Sequence, residues 1–110
     1  MKYKDLLTLQ PYFSVKQHIP GRLRLKFDLK ILDLPEAKAI MEERSEIPQE
    51  IVHVRVNKFA RSLILEYIPE QLPFELLEQL LRARNEEDGE AALELLENHL
   101  ARTRGSNAAK

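Results

Sequence analysis

The chain has 110 residues, 44% hydrophobic and 32% charged, with a net charge of -1 and no cysteine. That length supports one domain with a modest core and is too short for two. Without cysteine, disulfides, thiolate metal sites and thiol nucleophiles are excluded, and the near-neutral balance gives no global attraction to nucleic acid or membrane. Charge is nonetheless uneven, because residues 1–67 hold 12 Lys and Arg against 9 acids whereas residues 68–110 hold 5 against 9. The front is mildly basic and the back acidic.

The opening MKYKDLLTLQPYF has no long apolar run before Pro11, so the expectation is neither a cleaved signal nor a membrane insertion but a cytoplasmic protein whose residues 1–11 form an N-terminal extension. Residues 12–18, YFSVKQH, alternate as a strand, with Phe13, Val15 and Gln17 on one side and Tyr12, Ser14, Lys16 and His18 on the other. Ile-Pro-Gly then supplies turn chemistry, and a second strand runs from Arg22 to Asp28. In that second strand Arg22, Arg24 and Lys26 alternate with Leu23, Leu25 and Phe27. Residues 35–46 begin with proline and carry Ala37, Ile40 and Met41 as a narrow apolar stripe, which predicts a short amphipathic helix.

The clearest hairpin is IVHVRVNKFARSLILEYIPE. Val52, Val54 and Val56 alternate with His53, Arg55 and Asn57, a loop spans residues 57–61, and Leu63, Leu65 and Tyr67 then alternate with Ser62, Ile64 and Glu66. From Pro73 a helix is predicted to about Arg84, with Leu76, Leu77, Leu80 and Leu81 at helical spacing. NEEDG, residues 85–89, reads as an interruption through Asn85 and Gly89. An additional amphipathic helix follows over 87–103, and 104–110 reads as a disordered tail.

These elements assemble as an α+β domain over residues 12–86, a ferredoxin-like split βαβ sandwich whose N-terminal strand replaces the usual last strand of a four-stranded antiparallel sheet. Helices would cover Phe13, Val15, Leu23, Leu25, Phe27, Val54, Val56, Leu63 and Leu65. The opposite, open face would then present Lys16, His18, Arg22, Arg24, Lys26, His53 and Arg55.

HIPGRLRLKF, a helix and then HVRVNKFARSLILEYIP resemble the divergent heavy-metal-associated domains found in some bacterial metal-transporting ATPases and as small stand-alone proteins. The resemblance covers about residues 14–80. It implies the ferredoxin-like fold and an accessory role near metal transport, with a metal-transporting ATPase or another copy of the chain as partner. The metal-binding branch of that family carries a Cys-x-x-Cys loop. The matching loop here, DLKILDLP at 28–35, has no cysteine, histidine or methionine and offers no ligands to soft Cu(I) or a closed zinc site.

The sharpest candidate site is His18 with Arg22, Arg24, Lys26 and Arg55, a partner- or anion-binding set in which arginine forks meet carboxylate or phosphate bidentately. Beside it stands the plainer reading of a solvated strand face whose charges discourage aggregation. A second class of function is a small-ligand binder, in which His18 and His53 ligate a divalent metal or haem iron with Arg22 and Arg24 nearby. Nucleic-acid binding is not expected, because the open positions of the central strands carry no aromatic residue for base stacking. Nor is an enzyme expected: the three glycines form no phosphate loop, and no serine sits in a nucleophile elbow. The acidic final helix could dock on the basic face, within the chain or between copies, or pack beside the helix before it.

Overall fold

Four strands form one antiparallel sheet in the computed structural model, which describes residues 1–41 and 46–108. They are β1 (Phe13–Ile19), β2 (Arg22–Phe27), β3 (Ile51–Asn57) and β4 (Ser62–Tyr67), in the order β1-β2-β4-β3. The helices are α1 (Tyr3–Leu9), α2 (Pro35–Met41), α3 (Phe74–Leu81) and α4 (Glu86–Ala108). The chain is thus α+β, with β1 paired against β2 at one edge and β3 against β4 at the other.

Strand β2 keeps the strict alternation of its sequence, since Leu23, Leu25 and Phe27 are buried while Arg22, Arg24 and Lys26 are exposed. Leu63, Leu65 and Tyr67 of β4 are buried on the same side. The turn between β1 and β2 needs its glycine. Gly21 has φ +89°, a conformation costly for any side chain, and a Cβ there would lie 3.3 Å from the Tyr67 carbonyl oxygen.

Both edge strands contain a bulge. The register of β1 jumps between Val15 and Gln17, so Lys16 is an extra residue, and β3 slips between Ile51 and His53, leaving Val52 exposed. A one-residue slip exchanges the faces of everything beyond it. Hence Phe13 and Val15 face the helices as expected, but past Lys16 it is His18, opposite buried Leu23, that turns inward, and Gln17 that turns outward. The sequence alternation assigned those two residues the other way round.

The helical layer differs from expectation at three places. Residues 3–9 form α1, which buries Tyr3, Leu6 and Leu9; the Asp5 carboxylate accepts from the Lys2 amide at 2.8 Å and fixes the start of the helix. NEEDG starts a helix instead of stopping one. Asn85 Oδ1 accepts from the Asp88 amide at 2.8 Å as an N-cap, and Glu86, Glu87 and Asp88 occupy the first turn, where the helix dipole favours anions. Gly89 sits inside α4 because α1 crosses there: a Cβ would fall 2.5 Å from Leu7 Cδ1. Third, α4 continues to Ala108, through residues assigned to a tail. Between α3 and α4, the Gln10 amide group donates to the carbonyls of Leu81 and Ala83, each at 2.8 Å, satisfying groups freed where α3 ends. The predicted helix at 35–46 is seen as Pro35–Met41, and residues 42–45 lie outside the described residues.

Helix α4 packs on α3 and α1 through Ala92, Leu96 and Leu100, so it thickens the helical layer and does not cover the sheet's other face. The two faces of β2 therefore predict opposite mutational responses. Leu23→Ala, at the fully buried centre, should lower unfolding free energy by about 2–5 kcal/mol in denaturant titrations, whereas Arg24→Ala should stay within about 0.5 kcal/mol.

Candidate functional site

The open face is a grid that the strand register defines. Its three rows are Ser14-Lys26-Ser62-Asn57, Gln17-Arg24-Ile64-Arg55 and Ile19-Arg22-Glu66-His53. Arg22, Arg24, Lys26, His53 and Arg55 are all exposed, and Ile64 is half-buried at the centre. Four cations stand against the single carboxylate of Glu66 in these rows. Neighbouring like charges along β2, two residues or about 6.6 Å apart, repel by roughly 0.6 kcal/mol even at the dielectric of water. An anion placed between them would relieve that repulsion.

The surface extends onto the β3–β4 hairpin. Asn57 Oδ1 accepts from the Ala60 amide at 3.0 Å, Arg61 takes a positive φ of 53°, and Phe59 stands fully exposed between Lys58 and Arg61. Phe59 belongs to no apolar alternation or helical stripe in the sequence. The available signal was an aromatic residue within a loop segment, where burial has no reason to place one.

His18 is not part of this surface. Its side chain is 1% exposed beneath α3, stacked on Phe74 with ring centroids 4.2 Å apart. Nε2 lies 2.8 Å from the Tyr67 hydroxyl, and Glu78 Oε1 lies 3.3 Å from Nδ1, near enough for attraction but out of line for a formed hydrogen bond. The direction of the Nε2–Tyr67 hydrogen bond depends on the ring tautomer, and the Tyr67 hydroxyl also lies 3.5 Å from the Ile19 carbonyl oxygen. Burial pushes the His18 pKa below its ordinary 6.5; Glu78 pulls the other way, and Arg82 adds to the lowering. Burial likewise raises the Tyr67 hydroxyl. The expected cluster of His18 with Arg22 and Arg24 is therefore split across the sheet. His53 lies on the open face of the opposite edge strand, so the two histidines cannot share a metal or a haem iron.

A second buried polar centre had no sequence signal. Glu50, 2% exposed, accepts from the Tyr3 hydroxyl at 2.8 Å and from Arg104 Nε and Nη2 at 2.7 and 2.5 Å. Burial alone would raise its pKa, but the hydrogen bonds from Arg104 and Tyr3 outweigh that and hold it below the usual 4.5. The partners lie 47 and 54 residues away, so no local pattern reveals them. Their geometry is that of a structural clasp joining α1, the start of β3 and the far end of α4.

The loop expected to correspond to a metal-binding loop folds as a tight turn over Leu29–Asp33, capped by the Asp28 side chain and anchored by buried Ile31. Among the described residues no three His, Cys, Asp or Glu side chains gather as metal ligands, and no helix is long and apolar enough to cross a membrane. No family model matches the chain, and no curated protein or solved structure matches it. Its class is that of an α+β protein with helices on one side of a four-stranded sheet and a basic face on the other.

Two measurements probe the buried centres. Because the folded pKa of His18 is depressed, its contribution is complete above pH 6.5 and declines as the unfolded chain takes up a proton that the native ring refuses. Melting temperature should fall between pH 7.5 and 5.5, with a smaller fall in His18→Phe, and a ring titrating above 6.5 by NMR would contradict the assignment. Arg104→Ala strands a buried carboxylate and should cost about 3 kcal/mol. Adding Glu50→Gln to it should recover part of that loss in a double-mutant cycle.

Proposed function

We propose that this chain is a non-enzymatic protein-interaction module, ferredoxin-like in type and related to heavy-metal-associated domains, which binds an acidic partner on the open face of its sheet. The observation that carries the reading is the uncovered grid, with Arg22, Arg24, Lys26 and Arg55 around Ile64 and one acid, Glu66, among them. The strand order β1-β2-β4-β3 agrees with a split βαβ core whose missing last strand is supplied from the N-terminal side. The HIPGR and VRVN segments supply the turn into β2 and the outer half of the β3–β4 hairpin, in keeping with the family resemblance. A loop without soft ligands favours a role beside metal transport over metal carriage, with a metal-transporting ATPase on the cytoplasmic side as a partner that fits the resemblance.

Magnitudes define what the partner must offer. An exposed ion pair contributes about 0.2–1 kcal/mol, so four cations give only weak, salt-sensitive attraction. Apolar contact has to supply the remainder, and Ile64, Ile19 and Phe59 are placed to make it. The partner is therefore amphipathic, with carboxylates beside an apolar stripe, and a helix laid across an open sheet meets that description.

Titration with a fluorescent amphipathic helical peptide, Glu on one face and Leu beside it, tests the reading. Binding should weaken roughly two- to thirtyfold in Arg22→Ala/Arg24→Ala, and should weaken on raising salt, with circular dichroism unchanged. Phe59→Ala should weaken it without altering the salt dependence. A double variant that bound the peptide as tightly as the unaltered chain would overturn the assignment.

A further inference from the structure

Helix α4 carries the complement of the open face. Glu87, Glu90, Glu94 and Glu97 are exposed and recur at intervals of three and four residues, which aligns them in one stripe. Ala91 flanks the stripe, and Leu95, which keeps 53% of its surface in solvent, lies one turn beyond Ala91 on the side of α4 that borders α3. The stripe spans ten residues, about 15 Å of helix. On β2, Arg22 to Lys26 span about 13 Å. Acid therefore matches base in length.

One chain cannot make this contact with itself, because α4 packs on α3 and α1 and its acidic stripe points away from the sheet. Each molecule thus presents a basic sheet on one side and an acidic helix on the other.

We propose that the open face receives the outer face of α4 from a second copy of this chain, giving head-to-tail association. The proposal rests on the partner-binding reading of the sheet face and identifies its occupant. A second copy supplies carboxylates, apolar residues and helical form together, at the same concentration as the face they fit. The contact is heterologous, so each added copy leaves one sheet and one helix free, and the assembly grows as a chain or closes as a ring. A single helix laid along β2 buries less than a standard interface, so association is weak and depends on concentration and salt.

Sedimentation velocity on the full chain and two charge-reversed variants tests this. R22E/R24E keeps the acidic helix and loses the basic sheet; E90K/E94K does the reverse. The unaltered chain should grow beyond a dimer as its concentration approaches about 1 mM at low salt and return to monomer at about 0.5 M salt. Each variant alone should stay monomeric, because its sheet and helix then carry the same charge, and an equal mixture should associate in alternation, since each helix meets a sheet of opposite charge only in the other variant. An unaltered chain that stays monomeric, or a mixture that fails to associate, overturns head-to-tail assembly. If the acidic peptide still binds E90K/E94K in that case, the sheet face takes a foreign helix and only the self-association is lost. If the peptide fails as well, the partner-binding reading falls with it.

Discussion

The packing of the chain depends on one constraint, the burial of alternate residues of β2 and β4 under a single layer of helices. Leu23, Leu25, Leu63, Leu65 and Tyr67 are driven out of water on one side, so Arg22, Arg24, Ser62, Ile64 and Glu66 have no choice of side. Every helix in the described structure answers that demand. α1 closes the layer with Leu6 and Leu9, α3 with Leu77, Leu80 and Leu81, and α4 seals α1 and α3 from outside. The basic face is thus a consequence of where the core lies, and its cations occupy positions that the core could not use.

Two polar centres hold this layer in place. At one the Glu50 carboxylate is buried, which would cost several kcal/mol unpaired, and the bidentate bond from Arg104 with that from Tyr3 offsets the loss. At the other, His18 stays neutral between Phe74, Tyr67 and Glu78, tying edge strand β1 to α3. The first clasp is charged and depends on geometry across the whole chain. The second is neutral and depends on pH. Both bind helices to the sheet on the covered side, leaving the open side free of structural obligation.

What the sequence revealed follows from the range of each signal. Period-two alternation is local, so the faces of β2 and β4 and the outward turn of Arg55 are legible in it, whereas the choice of α4 between the sheet face and the flank of α3 is settled only by the packing of Leu96 and Leu100. Bulges are set by pairing between strands and leave no mark within one strand. That is why Lys16 went unrecognised and His18 was assigned to the wrong face, and the candidate cluster of His18 with Arg22 and Arg24 dissolved with it. Helix α1 was missed because seven residues give barely two turns of periodicity before Pro11 interrupts. Gly89 is ambiguous in sequence, because a glycine that stops a helix and one that admits a crossing helix look alike until Leu7 is placed against it.

The bulges also bear on how such a sheet meets other molecules. Strands β1 and β3 are the two edges, where unpaired backbone groups would ordinarily recruit another strand. Each carries an extra residue, Lys16 in one and exposed Val52 in the other, and a bulge bends the strand and disrupts the regular ladder a partner strand needs. Pairing at the edges is therefore discouraged at both sides by the same device. Under the proposed function, recognition would fall to side chains on the face, where Arg22, Arg24 and Arg55 surround Ile64. A backbone edge would accept nearly any extended chain; the partner proposed for the open face is restricted to one with acids beside an apolar stripe, and specificity would follow from that restriction.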